Sequence, residues 1–281
     1  MKVFIMGAGT MGSGIAQVFA TQGFQTVLYD IEEKFVEIGY LAIESSLSRM
    51  VKKEVISESR KGEILSNIMK TADRKDAEGC QLVIEAVIEN IEIKKALFKE
   101  IELIADEDAI LATNTSSLSI TEIAASLKDP GRFLGIHFFN PAPLMKLVEV
   151  IKGINSSSET IDSAVNIIKQ LDKEYVIVNE SGGFIVNRIL IPMINEATGI
   201  LADGIASAED IDKAMKFGAN HPIGPLSLGD LIGNDIVLAI MNNLYAEFGD
   251  SKYRPHPLLK KMVRAGHLGR KTGIGFFKYN A

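Results

Sequence analysis

The chain has 281 residues, 47% of them hydrophobic and 23% charged, with a formal net charge of −6. That length suits about two domains with substantial cores, and the acidic balance argues against nucleic acid or an anionic membrane surface as a partner, while leaving room for an anionic small ligand held by local lysines. The single cysteine, Cys80, excludes an intrachain disulfide framework, fits a reducing compartment and offers no metal cluster; no apolar run of about 18 residues signals a membrane span, no basic apolar leader precedes the first strand, and the location expected is cytoplasmic, or that of a mature organellar protein.

Val3, Phe4, Ile5 and Met6 form a continuous apolar run that predicts a buried parallel strand. Glycines follow at once. A helix is then expected over 13–22, with Ile15, Val18 and Phe19 on one face and Gly23 as its stop. Residues 26–29 predict a second strand ending at Asp30, and Asp30 and Glu33 stand where a helix N-cap and its third residue would sit. Residues 32–69 are charged and helical in pattern, which suggests an inserted helical pair protruding from the sheet. Strands are expected at 81–87 and 109–112, with a helix over 92–104 between them. Ser119 and Glu122 form a capping-box pattern for a short helix. A strand over 133–136 delivers His137, and strands at 147–150 and 175–178 flank a helix near 160–170.

This alternation predicts an α/β fold, a Rossmann-type doubly wound parallel sheet. It stops near residue 180. Helices are expected beyond it over 184–203, 207–217, 227–247 and 256–264, with a tight break at Pro222, Gly224 and Pro225. The reading is two domains: residues 1–182, with the helical insertion near 32–69, and an all-helical C-terminal domain over 183–281.

The motif Gly7-Ala8-Gly9-Thr10-Met11-Gly12 follows the first strand and opens a helix. Gly7 makes the tight turn, Gly9 lets the backbone approach a pyrophosphate, and Gly12 lets helix and strand pack closely. The helix N-terminus then faces the negative charge. Asp30 ends the second strand, where a carboxylate hydrogen-bonds both ribose hydroxyls and repels a 2′-phosphate, so NAD is favoured over NADP.

Oxidising an alcohol by hydride transfer needs a base for the hydroxyl proton. Of the four histidines, His221 adjoins Pro222, His256 lies between prolines, and His267 sits in a glycine-rich basic tail. His137 comes at the end of a predicted parallel strand, beyond which ligands bind in open α/β sheets. On these grounds alone it is either a catalytic base or a structural histidine.

Further stretches narrow the choice. They are Glu85-Ala86-Val87-Ile88-Glu89-Asn90, Thr113-Asn114-Thr115-Ser116-Ser117, His137-Phe138-Phe139-Asn140-Pro141, Gly183-Phe184-Ile185-Val186-Asn187-Arg188, His221-Pro222-Ile223-Gly224-Pro225 and Gly269-Arg270-Lys271-Thr272-Gly273. With the glycine motif they span the chain, and in this order the sequence resembles the L-3-hydroxyacyl-CoA dehydrogenase family, particularly its short bacterial 3-hydroxybutyryl-CoA members. The resemblance implies NAD-dependent interconversion of a short-chain (S)-3-hydroxyacyl-CoA and its 3-ketoacyl-CoA. It implies His137 as catalytic base and Glu149 as its orienting partner, with Ser117 and Asn187 around the reacting hydroxyl and the thioester carbonyl. It places Asn140 near the nicotinamide, Glu89, Lys94 and Lys271 at the coenzyme, and Ser46 and Lys53 at the CoA nucleotide. It also implies a homodimer through the C-terminal domain; no metal is expected.

Two rival readings remain at this level: a dehydrogenase of a small free hydroxy acid, and a non-catalytic, crystallin-like dinucleotide-binding protein. One departure from the family pattern is Ser181-Gly182 before Gly183-Phe184, where many relatives have a proline; it is expected to loosen the segment joining the domains.

Overall fold

The computed structural model describes residues 1–279, which divide into two units at residues 180 and 181. The first unit runs β1 (Lys2–Met6), α1 (Thr10–Thr21), β2 (Gln25–Tyr29), α2 (Glu33–Lys52), α3 (Glu58–Ser66), β3 (Ile68–Thr71), β4 (Leu82–Glu85), α4 (Ile91–Ile101), β5 (Ile110–Thr113), α5 (Ile120–Ala124), β6 (Phe133–Phe138), β7 (Leu147–Lys152), α6 (Ser158–Lys169) and β8 (Glu174–Asn179). Its strands form one sheet in the order β3-β2-β1-β4-β5-β6-β7-β8. All neighbours are parallel except β6 and β7. The chain winds outward from β1 to β3, returns beside β1 with β4, and winds the other way. The order therefore reverses between β1 and β4, where a doubly wound sheet opens its ligand crevice.

Burial follows from the apolar runs. Val3, Phe4, Ile5 and Met6 are wholly buried, as a strand covered on both faces requires. Helix α1 buries Ile15, Val18 and Phe19 in the main core. It starts at Thr10, three residues earlier than its pattern suggests, so the second half of the glycine motif lies in its first turn.

Three other expectations are corrected. Asp30 is not the N-cap of α2; that position is Glu32, and the Asp30 carboxylate accepts the amides of Ala8 and Ile31 at 2.8 and 2.7 Å instead. Residues 32–69 do not protrude from the sheet. Helices α2 and α3 are the crossover from β2 to β3, and α2 buries Val36, Gly39, Ile43 and Leu47 in the core. Strand β3 went unforeseen because four residues, two of them exposed on an edge, give too short a pattern.

The second unit contains α7 (Val186–Ala202), α8 (Ala208–Gly218), α9 (Pro225–Ile232), α10 (Asn234–Phe248) and α11 (Pro257–Arg264). The single helix expected over 227–247 is two, because Gly233 between them has φ of 108°. Ile191, Ile194, Val237, Ile240, Met241, Leu244 and Leu259 form the larger core of this unit. A buried carboxylate ties its tail down: Asp230 accepts the amides of Phe276 and Phe277, the Asn234 side-chain amide and the Tyr279 hydroxyl. Ser181 accepts a hydrogen bond from Arg188 at 2.8 Å, and Glu180 accepts from Ser119 and Thr121 within the first unit, so polar contacts hold the two residues that flank the division. No helix among the described residues is long and apolar enough to cross a membrane.

Candidate active site

The glycine loop is built for close approach. A Cβ on Gly12 would fall 1.7 Å from the carbonyl oxygen of Gly7, and one on Gly7, at φ of 101°, would meet the Ala86 carbonyl at 2.7 Å. Gly9 differs: nothing lies within 4 Å of the position its Cβ would take. The open side of Gly9 leaves room for a group outside the loop to approach the backbone. Gly9 is also the N-cap of α1 and gives it no side-chain cap. The first-turn amides at Thr10, Met11 and Gly12 have no intrahelical acceptor, which makes this end of the helix an anion cradle. Asp30, half-buried at the end of β2, fixes the loop through Ala8 and keeps lone pairs for two further donors. Loop, helix end and carboxylate together fit a dinucleotide, with pyrophosphate at the amides and ribose hydroxyls at Asp30.

The ends of β4 and β5 carry a charged network. Glu85 closes β4, opposite Thr113 on β5. Its carboxylate is wholly buried and accepts from Lys94 Nζ at 2.5 Å, the Val87 amide at 2.6 Å and Thr113 Oγ1 at 2.7 Å. Lys94, on α4 and 1% exposed, also lies 3.2 Å from Glu89 Oε2. Glu89 Oε1 accepts from Thr115 Oγ1, from Ser117 Oγ at 3.1 Å and from the Ser116 amide at 3.2 Å. Burial pushes the Glu89 carboxyl up, but the Lys94 charge and the hydrogen bonds from Thr115, Lys94 and Ser117 outweigh it and hold the group below the usual carboxylate range. The expected coenzyme contacts Glu89, Lys94 and Ser117 are thus one cluster.

His137 and Glu149 are directly opposed on the antiparallel pair β6 and β7. Opposed residues of such a pair share a face of the sheet, and His137 Nδ1 lies 2.8 Å from Glu149 Oε2. Glu149 is completely buried and His137 nearly so. An ionised carboxylate only accepts, so it draws the ring proton to Nδ1 and places the lone pair of the neutral imidazole on Nε2. The Phe139 ring packs on the imidazole with centroids 4.5 Å apart. Asn114, at the end of β5, accepts the Phe138 amide at 2.8 Å and so pins the end of β6 to the Ser117 loop.

Parallel strands put their C-terminal ends on one edge, so Gly7, Asp30, Glu85, Ser117 and His137 share that edge, with the exposed Asn140 just beyond β6. The remaining expected residues lie on other elements. Ser46 is half-buried on α2, and Lys53 is exposed at the C-cap of that helix, beyond Lys52. In the second unit Asn187 is half-buried in the first turn of α7, and Lys271 Nζ lies 2.7 Å from the Asp235 carboxylate. Sequence reasoning missed Glu85 and Asn114. Glu85 had a signal: a lone acid ending an apolar strand in the buried half of the fold.

A phosphate-cradling loop, an acid placed for ribose and a histidine–carboxylate pair at the same sheet edge define a pyridine-nucleotide-dependent oxidoreductase. Residues 2–181 match the family profile described as 3-hydroxyacyl-CoA dehydrogenase, NAD binding domain, and residues 183–279 match its C-terminal domain. The chain is 55% identical over 280 residues to a 3-hydroxybutyryl-CoA dehydrogenase of Clostridioides difficile, covering 100% of both chains. The crystal structure of (S)-3-hydroxybutyryl-CoA dehydrogenase PaaH1 from Ralstonia eutropha superposes with a TM-score of 0.96 at 48% identity, covering 100% of this chain and 99% of the other. FadB2 of M. tuberculosis gives 0.97 at 39% identity, covering 99% and 98%. The chain belongs to the 3-hydroxyacyl-CoA dehydrogenase family.

Proposed function

We propose that this protein interconverts (S)-3-hydroxybutyryl-CoA, or a similarly short (S)-3-hydroxyacyl-CoA, and the corresponding 3-ketoacyl-CoA. The observation that carries the reading is the buried His137–Glu149 pair at the sheet edge that also holds the glycine loop and Asp30. NAD, when bound, supplies the acceptor for the hydrogen and electron pair that leave C3 of the substrate. In the loop Gly7-Ala8-Gly9-Thr10-Met11-Gly12, the amides of Thr10, Met11 and Gly12 would hold its pyrophosphate beside the open Gly9, while Gly7 and Ala8, whose amides are donated to Tyr29 and Asp30, shape the turn; Asp30 would hold its ribose and disfavour a 2′-phosphate. Glu89, Asn140 and Lys271 would complete the coenzyme contacts, and Lys94, 1% exposed, would act on the coenzyme through Glu89.

His137 Nε2 takes the proton of the 3-hydroxyl as the C3–O bond becomes a carbonyl. Glu149 holds the ring in the tautomer that can do so and offsets the positive charge that develops. Ser117 and Asn187 hold the substrate oxygens by hydrogen bonds; neither acts as a nucleophile. In reduction the same imidazole, protonated, returns its proton to the forming alkoxide. Ser46 and Lys53 bind the CoA nucleotide.

The working unit is a homodimer joined through the helical domain, acting in the cytoplasm. Its support is the split character of two apolar stretches: Ile191, Ile194, Ile240 and Met241 are buried, whereas Ile189 is 69% and Ile236 44% exposed. A sedimenting species of 30.6 kDa at micromolar concentration would reject the dimer.

The test of the reaction is a comparison of initial rates with NAD on (S)-3-hydroxybutyryl-CoA and on free 3-hydroxybutyrate, repeated with His137→Gln. Turnover of the thioester is expected to dominate and to fall roughly 10²- to 10⁴-fold in the variant. Preference for the free acid would sink the substrate reading, and near wild-type turnover by the variant would remove His137 from the chemistry.

A further inference from the structure

We infer that Glu85 is a positioning residue: through Lys94 it sets the place of Glu89, and through Glu89 the conformation of the loop carrying Thr115 and Ser117. The inference rests on the dehydrogenase reading above, since it assigns the loop a coenzyme and substrate to position.

Lys94 is an ammonium group with 1% exposure. A buried cation stays charged only beside a compensating anion, and one well-placed carboxylate is enough for that. Here there are two, and they are unlike. Glu85 is spent inside the fold: its side chain has no exposure, and one oxygen serves Lys94 and Val87 while the other serves Thr113. Its main-chain carbonyl also accepts the Asn114 amide at 2.8 Å, so the strand end and the following loop are bound together at this residue. Glu89 has a side chain 38% exposed and turns its second oxygen to the loop, where three donors from Thr115, Ser116 and Ser117 converge on it.

The arrangement is a chain of contacts with one locked end. Glu85 fixes the ammonium from behind; the ammonium fixes one oxygen of Glu89; the other oxygen is thereby aimed at the loop. If Glu85 only neutralised Lys94, the Glu89 carboxylate would be redundant. The excess negative charge of the trio instead sits on its half-exposed member, at the C-terminal edge of the sheet, beside Ser117.

Glu85→Gln keeps the shape and removes the charge. Lys94 then has a single carboxylate and is drawn toward Glu89, displacing the oxygen that holds the loop. NADH affinity, followed by fluorescence in the folded protein, is expected to fall roughly 10-fold, the size seen for coupled groups in one hydrogen-bonded network. The decisive measurement is a cycle with Glu89→Gln. In that background the relay has lost its far end, so Glu85→Gln should weaken NADH by less than about 3-fold more.

A residue that merely stabilises the fold gives another pattern: a lower unfolding midpoint, with NADH effects that are absent or that multiply in the double variant. Either result overturns the inference. Should Glu85→Gln fail to fold, Glu85→Asp keeps the charge but draws the carboxylate back from Lys94, and the same non-multiplying cycle with Glu89→Gln is required of it. Wild-type protein that fails to bind NADH sinks the dehydrogenase reading itself; wild-type binding with a multiplying cycle sinks only the role of Glu85.

Discussion

Glu149→Gln isolates the electrostatic part of the proposed mechanism. The amide has the shape of the acid and can still accept from His137 Nδ1, 2.8 Å away, so the ring is held but its positive charge is no longer offset. With charge centres about 4 Å apart, the lost attraction is about 4 kcal/mol at an effective dielectric of 20 and about 1 kcal/mol in bulk water. Burial of both side chains places the pair nearer the first limit, and the dipole of the amide restores a part. The expected loss in kcat for the thioester is therefore roughly 10- to 300-fold, each 1.4 kcal/mol being about a factor of ten. NADH affinity should stay within about 3-fold of wild type by the same magnitudes, because Gly7 to Gly12 and Asp30 directly follow β1 and β2, on the far side of β4 and β5 from β7. The assay is steady-state turnover at saturating thioester and NAD, paired with NADH titration by fluorescence. A kcat within about 3-fold of wild type would refute the charge argument, since the weakest coupling considered gives more than that. Loss of NADH binding would instead show that Glu149 supports the sheet.

Asp30→Ala should weaken NADH and narrow the preference for it over NADPH, since the side chain both holds Ala8 and excludes a 2′-phosphate; a wild-type kcat/KM with NADPH equal to that with NADH would dismiss this use of Asp30. Lys53→Ala should raise KM for the acyl-CoA several-fold with little change in kcat, and less so at high salt, because an exposed remote charge contributes uniform binding; an unchanged KM at low salt would place the nucleotide elsewhere. Glu89 has its pKa lowered by folding, against burial, through Lys94, Thr115 and Ser117, so its ionised form contributes stability above the ordinary carboxylate value and that contribution is lost as pH falls through the lower, folded value. Denaturant unfolding of wild type and Glu89→Gln from pH 7 to pH 3 should show a gap that closes on the acid side, and a gap independent of pH would contradict the assignment.

Most of the fold was legible because its signals are local. A strand buried on both faces reads as an unbroken apolar run, as Val3 to Met6 does in β1. The failures have local causes too. Strand β3 has four residues on an edge, with Met69 and Lys70 exposed, so nothing distinguishes it from the end of a helix. The break between α9 and α10 depends on one positive φ at Gly233 inside a sequence that is helical on both sides. The helical segment 33–66 looked like an insertion because its charged face dominates its composition; its four buried positions on α2 are visible only once α1 is there to receive them.

The site divides along the same line. The glycine loop and Asp30 could be found because their spacing is set by a single strand–helix–strand unit. The pairing of His137 with Glu149 could not be derived from spacing alone: residues twelve apart on two strands are opposed only for one direction and one register of those strands. The antiparallel turn of β7 supplies both, and a register shifted by one residue would have carried the carboxylate to the other face of the sheet. Glu85 lies further still from sequence reach, since its partners come from β5, from α4 and from the residue two positions on, and no single repeat relates them. The ordering has a physical basis. The glycine loop, Asp30 and His137 sit at strand ends, where one element fixes them; Glu85 and Glu149, which hold their neighbours in place, are wholly buried where several elements meet. A sequence reading therefore recovers the contacts before their supports, and the supports are where a structure adds most to the choice of variants.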